Sequence, residues 1–226
     1  RFPGKPLVDI GGKPMIQRVY EQAKKANGIS NVIVATDDVA IEEAVQEFRG
    51  NVIMTSADHQ SGTDRCAEAL KKSGIAYDAV INVQGDEPFI HPEQIEQVAR
   101  LLLHGNTQIA SLARLIKNPV DVPDPSKVKV VFDANQRALY FSRSTIPFNR
   151  SGVNPVDYYL HVGIYGYRSN ILNEITVLPQ SKLERAESLE QLRWMENGYT
   201  IHVDITTHES YGIDTKEDLD KIKHLL

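Results

Sequence analysis

Arg1-Phe2-Pro3-Gly4-Lys5-Pro6-Leu7 sets two cations around a glycine that permits close backbone approach. This is equipment for holding a triphosphate through charge-assisted hydrogen bonds. The spacing is not that of a Walker loop, and a basic pair here is also what a solvated terminus looks like. Gln84-Gly85-Asp86-Glu87-Pro88 follows the apolar run from Ala79 to Val83, so it forms a loop at the C-terminal end of a buried strand, where open α/β sheets bind ligands. An aspartate there can coordinate a hard Mg²⁺ ion. The competing reading of Asp86 is a turn in which it bonds only backbone amides. Asp214, in Gly212-Ile213-Asp214-Thr215, offers a second carboxylate, and its competing reading is a helix cap. One Mg²⁺ bound to one or two carboxylates and to substrate phosphates needs few protein ligands, provided that they converge.

Helical and extended patterns alternate along the chain with short connections, which predicts a Rossmann-like α/β fold, a mostly parallel sheet flanked by crossover helices. Pro14 opens a helix to about Asn27, with Gly28 as its stop. Asn31 to Ala35 reads as a buried parallel strand, and Thr36-Asp37-Asp38 supplies capping residues for a helix at about 39–48. Val52 to Met54 is another short strand, and Ser61-Gly62-Thr63 leads into a helix ending near Gly74. A helix runs from Pro92 to about His104. Val128 to Phe132 and Ala138 to Phe141, joined through Asp133-Ala134-Asn135, predict a hairpin. His161 to Tyr167 alternates like a strand, Leu189 to Asn197 reads as a helix stopped by Gly198, and Ile201 to Ile205 reads as a strand. Thr215 and Asp218 have the spacing of a capping box ahead of a last helix. The expected organisation is a single domain over 1–226 with a β-rich insertion at about 119–165.

The bulk properties narrow the function. With 226 residues and 41% apolar content, the chain can bury a substantial core. A formal charge of −5 and scattered basic residues argue against a nucleic-acid partner. The single cysteine, Cys66, supports neither a disulfide framework nor a zinc site and reads as a small core residue. No apolar run approaches the ~20 residues of a spanning helix, and no signal segment opens the chain, so the expectation is a cytoplasmic protein without membrane insertion.

Taken together, Arg1 to Leu7, Gly12-Lys13-Pro14-Met15-Ile16 and Gln84 to Pro88 resemble the sugar-nucleotide nucleotidylyltransferases. Within these, Ser61-Gly62-Thr63-Asp64-Arg65, Tyr140 to Pro147, His161 to Arg168, Leu189-Glu190-Gln191-Leu192-Arg193 and Gly212 to Thr215 resemble the 3-deoxy-manno-octulosonate cytidylyltransferases, in the same order and over essentially the whole chain. The resemblance implies transfer of CMP from CTP to the eight-carbon acid sugar 3-deoxy-manno-octulosonate (Kdo), with release of pyrophosphate, to activate Kdo for lipopolysaccharide biosynthesis. It implies a catalytic set of Lys5, Asp86 and Asp214, with Mg²⁺ held by Asp86 and Asp214. CTP would meet Arg1, Lys5, Arg65, Gln84 and Gly85, and Kdo would meet Arg143, His161, Tyr165, Glu190 and Gln191. On residue type alone, His161 is equally a hydrogen-bonded strand histidine, and Arg65 and Glu190 are equally surface charges. The resemblance further implies a homodimer, and a strand with an Ala-Arg-x-x-Ser-Thr segment ahead of Arg1. A CMP-sialic acid synthetase is the nearest alternative, and a nucleotide-binding module without turnover is an alternative of another class.

Overall fold

The spacing of apolar residues after Pro14 produces α1 (Met15–Lys25), an amphipathic helix that buries Met15, Ile16, Val19, Tyr20 and Ala23. The computed structural model describes residues 4–152, 156–209, 212, 213, 215, 218 and 219. The chain divides into two compact units, residues 1–96 with 209–226, and residues 97–208.

In the first unit, β1 (Val34–Thr36) pairs in parallel with β2 (Val52–Met54), joined through α2 (Val39–Glu47). Asp38 caps α2 by accepting the Ala40 N–H at 2.8 Å. Ile16, Tyr20, Val34 and Val45 form a buried cluster under these elements. α3 (Gly62–Ser73) starts at Ser61, whose hydroxyl accepts the Asp64 N–H, and ends at Gly74 with φ 66°, the left-handed conformation that glycine adopts without cost. Cys66, expected in a core, is half-buried on this helix. β3 (Ala79–Asn82) follows, and α4 (Pro92–Leu103) begins in this unit and ends in the other. Thr215 and Asp218 make the reciprocal bonds of a capping box, Asp218 N–H to Thr215 Oγ1 at 3.2 Å and Thr215 N–H to Asp218 Oδ2 at 3.1 Å.

In the second unit, β4 (Ile109–Leu115), β5 (Lys129–Phe132), β6 (Ala138–Ser142), β7 (Tyr159–Arg168) and β8 (Ile201–Ile205) lie in the order β6-β5-β7-β4-β8. The expected hairpin is β5–β6, antiparallel from Lys129↔Ser142 to Phe132↔Ala138. The parallel character predicted for the sheet holds for β1–β2 and for β4–β8. β7 runs antiparallel to both β4 and β5. The physical reason is connectivity: among the described residues, the segments joining β5, β6 and β7 hold none of the crossover helices that parallel neighbours require. α5 (Ser169–Ile175), α6 (Lys182–Glu187) and α7 (Gln191–Glu196) complete the unit. α4 packs so closely on β7 that a Cβ at Gly166 would stand 2.5 Å from Val98 and 2.6 Å from Leu102.

Candidate active site

The loop from Gly4 to Pro14 is a tightly bonded turn. Gly4 adopts φ 69°, the Lys5–Leu7 turn follows, and the loop closes with Met15 N–H donating to Val8 O at 2.9 Å. Arg18 reaches back from α1, its Nη2 donating to Gly11 O at 3.1 Å. This turn presents the Lys5 ammonium 2.6 Å from Asp86 Oδ2, 81 residues further on. Asp86 sits in the turn after β3, closed by Glu87 N–H to Gln84 O at 3.2 Å. A Cβ at Gly85 would stand 3.5 Å from Ile16, so the backbone there lies against α1. The C-terminal segment returns to the same turn: Ile213 N–H donates to Asp86 O at 3.0 Å, and Ile213 is buried with Ile10 and Met15. Lys5, Gln84, Gly85 and Asp86 are thus brought together. Arg1 and Asp214 lie outside the described residues.

Arg65 projects from the first turn of α3. Its Nη1 donates to Thr55 Oγ1 at 2.6 Å and stands 3.1 Å from Asp37 Oδ1. Asp37 and Thr55 each follow directly on a parallel strand, β1 and β2, and Asn82 ends β3. The Asn82 amide would lie 3.1 Å from a Cβ at Gly62, so Gly62 allows the start of α3 to close on the end of that strand. Thr55 and Asn82 were not read in the sequence as site residues, and Asp37 was read only as a capping candidate ahead of α2, although their place at strand C-terminal ends is itself a signal.

The second set lies in the second unit. Arg143 follows β6, and three of its five guanidinium N–H groups go to backbone carbonyls: Nε to Glu187 at 2.7 Å, Nη1 to Pro125 at 3.0 Å and Nη2 to Ser188 at 3.4 Å. Its backbone is held as well. Arg143 N–H donates to Glu187 Oε2 at 2.9 Å, and the fully enclosed Lys129 donates to Arg143 O at 2.6 Å. Burial pushes the Lys129 pKa down, against the nearby Asp124 and Glu187 charges, which raise it.

His161 and Tyr165 both lie on β7, four residues apart, which in a regular strand separates their Cα atoms by ~13 Å. Here a bulge intervenes: Tyr165 pairs with Ser111 and Val162 with Leu112, so Gly163 and Ile164 have no partner on β4. His161 and Tyr165 therefore face Ala113 and Ser111, two residues apart on one face, and their rings meet at 5.2 Å. Ser111 fills the bulge and contacts His161 Nε2 at 3.2 Å. Burial holds the His161 pKa down at about 4, leaving a neutral imidazole at pH 7. Burial, then the neighbouring Tyr167 and Glu190, push the Tyr165 hydroxyl well above the usual phenol range, so it stays a donor.

Trp194 of α7 stands edge-on to Tyr165 at 5.2 Å, joining α7 to this face of β7. Glu190 precedes α7, 4.0 Å from Arg193 Nη2, and that guanidinium is anchored by Glu184 through Nε at 2.9 Å and Nη2 at 2.5 Å. Gln191 is 4% exposed. Among the described residues, its Nε2, the Tyr165 hydroxyl and the Trp194 indole nitrogen are buried polar atoms without a hydrogen-bond partner. Native interiors rarely leave such groups unpaired, and these three lie on adjoining elements, Tyr165 on β7 and Gln191 and Trp194 on α7. Ser111 and Trp194 were not read in the sequence as site residues. A buried serine in an apolar strand reads as filler, and a tryptophan in a helix reads as core.

The family described as Cytidylyltransferase matches residues 1–205. A Parabacteroides distasonis protein named 3-deoxy-manno-octulosonate cytidylyltransferase is 54% identical over 98% of this chain and 91% of its own length. A Shewanella protein named 8-amino-3,8-dideoxy-manno-octulosonate cytidylyltransferase is 49% identical over 100% of this chain and 93% of its own. The solved structure of a CMP:2-keto-3-deoxy-manno-octonic acid synthetase complexed with CTP superposes with a TM-score of 0.94 at 46% identity, covering 100% of this chain and 92% of that one. The chain belongs to the cytidylyltransferase family, alongside the 3-deoxy-manno-octulosonate cytidylyltransferases.

Proposed function

We propose that this chain transfers CMP from CTP to Kdo, giving CMP-Kdo and pyrophosphate. The observation that carries the reading is its likeness, over its whole length, to a Kdo cytidylyltransferase and to a CMP-Kdo synthetase solved with CTP. The anomeric hydroxyl of Kdo attacks the α-phosphorus of CTP, the bond to the β-phosphate oxygen breaks, and the hydroxyl proton is lost. Charge builds on phosphate oxygens, so positioned cations and in-line geometry do the catalytic work without a covalent protein nucleophile.

In this reading Lys5, with Arg1, binds the triphosphate, while Arg65, Gln84 and Gly85 line the nucleotide. Mg²⁺ is the proposed cofactor, held by Asp86 and Asp214. The oxygen-only donor chemistry of the two carboxylates suits it, and in this structure Asp86 is paired with the Lys5 ammonium at 2.6 Å, a contact that metal binding would have to share or displace. When bound, the ion supplies further neutralisation at phosphate oxygens. The two remaining Arg143 N–H groups match the Kdo carboxylate. Neutral His161, protonated Tyr165, Glu190 and Gln191 exchange hydrogen bonds with its hydroxyls. The reading includes a homodimer, supported by exposed apolar side chains within 119–165, Val120 at 75% and Phe148 at 83%. It also includes a cytoplasmic place in lipopolysaccharide biosynthesis; no described helix is long and apolar enough to cross a membrane.

Initial rates of pyrophosphate release with CTP and Mg²⁺, measured for Kdo, for 8-amino-3,8-dideoxy-manno-octulosonate and for sialic acid, test the substrate. Kdo is expected to be turned over much faster than either. Preference for the amino sugar moves the assignment to that analogue, and preference for sialic acid overturns it.

A further inference from the structure

Ser111 is fully buried on β4, and its hydroxyl meets three groups: Ile164 O at 2.9 Å, Val162 O at 3.3 Å and His161 Nε2 at 3.2 Å. A serine hydroxyl has one proton to give. The two carbonyls can only accept. If that proton pointed at His161, the Ser111 oxygen would face two carbonyl oxygens at 2.9 and 3.3 Å with no hydrogen between them, a repulsive arrangement in a buried site. The proton therefore goes to the bulge carbonyls, the Ser111 lone pairs face the imidazole, and His161 must donate from Nε2. The ring is neutral at pH 7, so Nδ1 is left with its lone pair. Among the described residues Nδ1 has no hydrogen-bond partner.

We propose that Ser111 is a positioning residue that locks His161 in the Nε2–H tautomer, so that Nδ1 accepts a hydrogen bond from a hydroxyl of the bound acid sugar. The bulge makes this possible, because leaving Gly163 and Ile164 unmatched on β4 brings the Val162 and Ile164 carbonyls to the Ser111 hydroxyl. Phe141 stands edge-on to the imidazole at 5.1 Å and Tyr165 leans on it at 5.2 Å, and neither ring contact occupies the Nδ1 lone pair with a hydrogen bond among the described residues. A histidine in the opposite tautomer would offer Nδ1–H and select for an acceptor instead, so the serine sets which polarity of sugar group the site takes. The tautomer lock rests on the Ser111 geometry and on the neutral ring that burial enforces, whereas its use in sugar binding rests on the Kdo reading above.

The test is ¹⁵N–¹H long-range correlation NMR of the full-length, ¹⁵N-labelled protein at pH 7, with the His161 signals identified by their loss in His161→Gln. The wild type is expected to show one tautomer, Nε2–H with a bare Nδ1. Ser111→Ala is expected to shift both nitrogens toward a tautomer mixture and to raise KM for Kdo about three- to tenfold, the scale of one hydrogen bond, with KM for CTP unchanged. Ser111→Thr, which keeps the hydroxyl, restores both readouts. A wild-type ring protonated on Nδ1 overturns the proposal even if Ser111→Ala fails to fold. So does a folded Ser111→Ala protein whose KM for Kdo stays within about twofold of wild type. Absence of turnover of Kdo by the wild type would instead strike the Kdo reading and leave the tautomer result standing.

Discussion

The Lys5–Asp86 pair joins a cation and a carboxylate from segments that sequence distance keeps far apart, and both side chains are only partly exposed. Asp86→Asn keeps the shape and removes the charge. We expect kcat to fall by about a hundredfold or more, with the melting temperature within a few degrees of wild type, because the lost charge acts on the transition state. Steady-state kinetics with a thermal melt separate the two. His161 gives a second expectation. Its folded pKa of about 4 lies below the ordinary 6.5, so the unfolded chain binds the proton more readily. The stability it carries is complete above pH 6.5 and is lost as pH falls through 4. Urea melts of wild type and His161→Gln between pH 8 and pH 4 should therefore converge on acidification, with the wild type losing on the order of 2 kcal/mol more than the variant.

At the scale of elements, the sheet and helices fix how these residues meet. Gly166 is the tightest point, since a Cβ there would fall 2.5 Å from Val98 on α4. Gly166→Ala should cost about 1–3 kcal/mol of unfolding free energy, read from denaturant midpoints. The α6–α7 corner is held by the buried Glu184–Arg193 pair. Burial raises the Glu184 pKa, and the bonds from Arg193 and the Ser181 N–H more than offset this, so the net shift is downward. Glu184→Gln leaves the Arg193 charge buried without its partner, and we expect a loss of about 3 kcal/mol together with a higher KM for Kdo through the displaced Glu190. Most elements were legible in the sequence because their signals are local. Pro14 and Asp38 open α1 and α2, Gly74 closes α3, and β-branched runs mark β2 and β8. The strand expected at 31–35 is β1 at Val34–Thr36, displaced because ladder pairing with β2, not composition, sets its start. β4 escaped notice, since Ile109-Ala-Ser-Leu-Ala-Arg-Leu has neither alternation nor many β-branched residues and becomes a strand only by pairing with β7 and β8.

For the whole molecule, the proposed reading draws on two separate sets of residues, a phosphate and metal set in the first unit and an acid-sugar set in the second. The family's motifs named most of these residues in advance, and each set draws on segments that sequence distance separates. Lys5 meets Asp86 because Ile10, Met15 and Ile213 bury a common cluster beside that turn. His161 meets Tyr165 because the β7 bulge shortens the distance between them. Long-range packing and strand register have no local signature, so the contacts of Ser111 with His161, of Trp194 with Tyr165, and of Asp37 and Thr55 with Arg65 emerged only from the fold. The central claim, CMP transfer to Kdo, is tested most directly by following CTP, Kdo, Mg²⁺ and the protein by ³¹P NMR. We expect a new phosphodiester resonance, that of CMP-Kdo, growing in step with pyrophosphate as CTP disappears. Loss of CTP to free CMP without a phosphodiester, or no change in the spectrum, would contradict it.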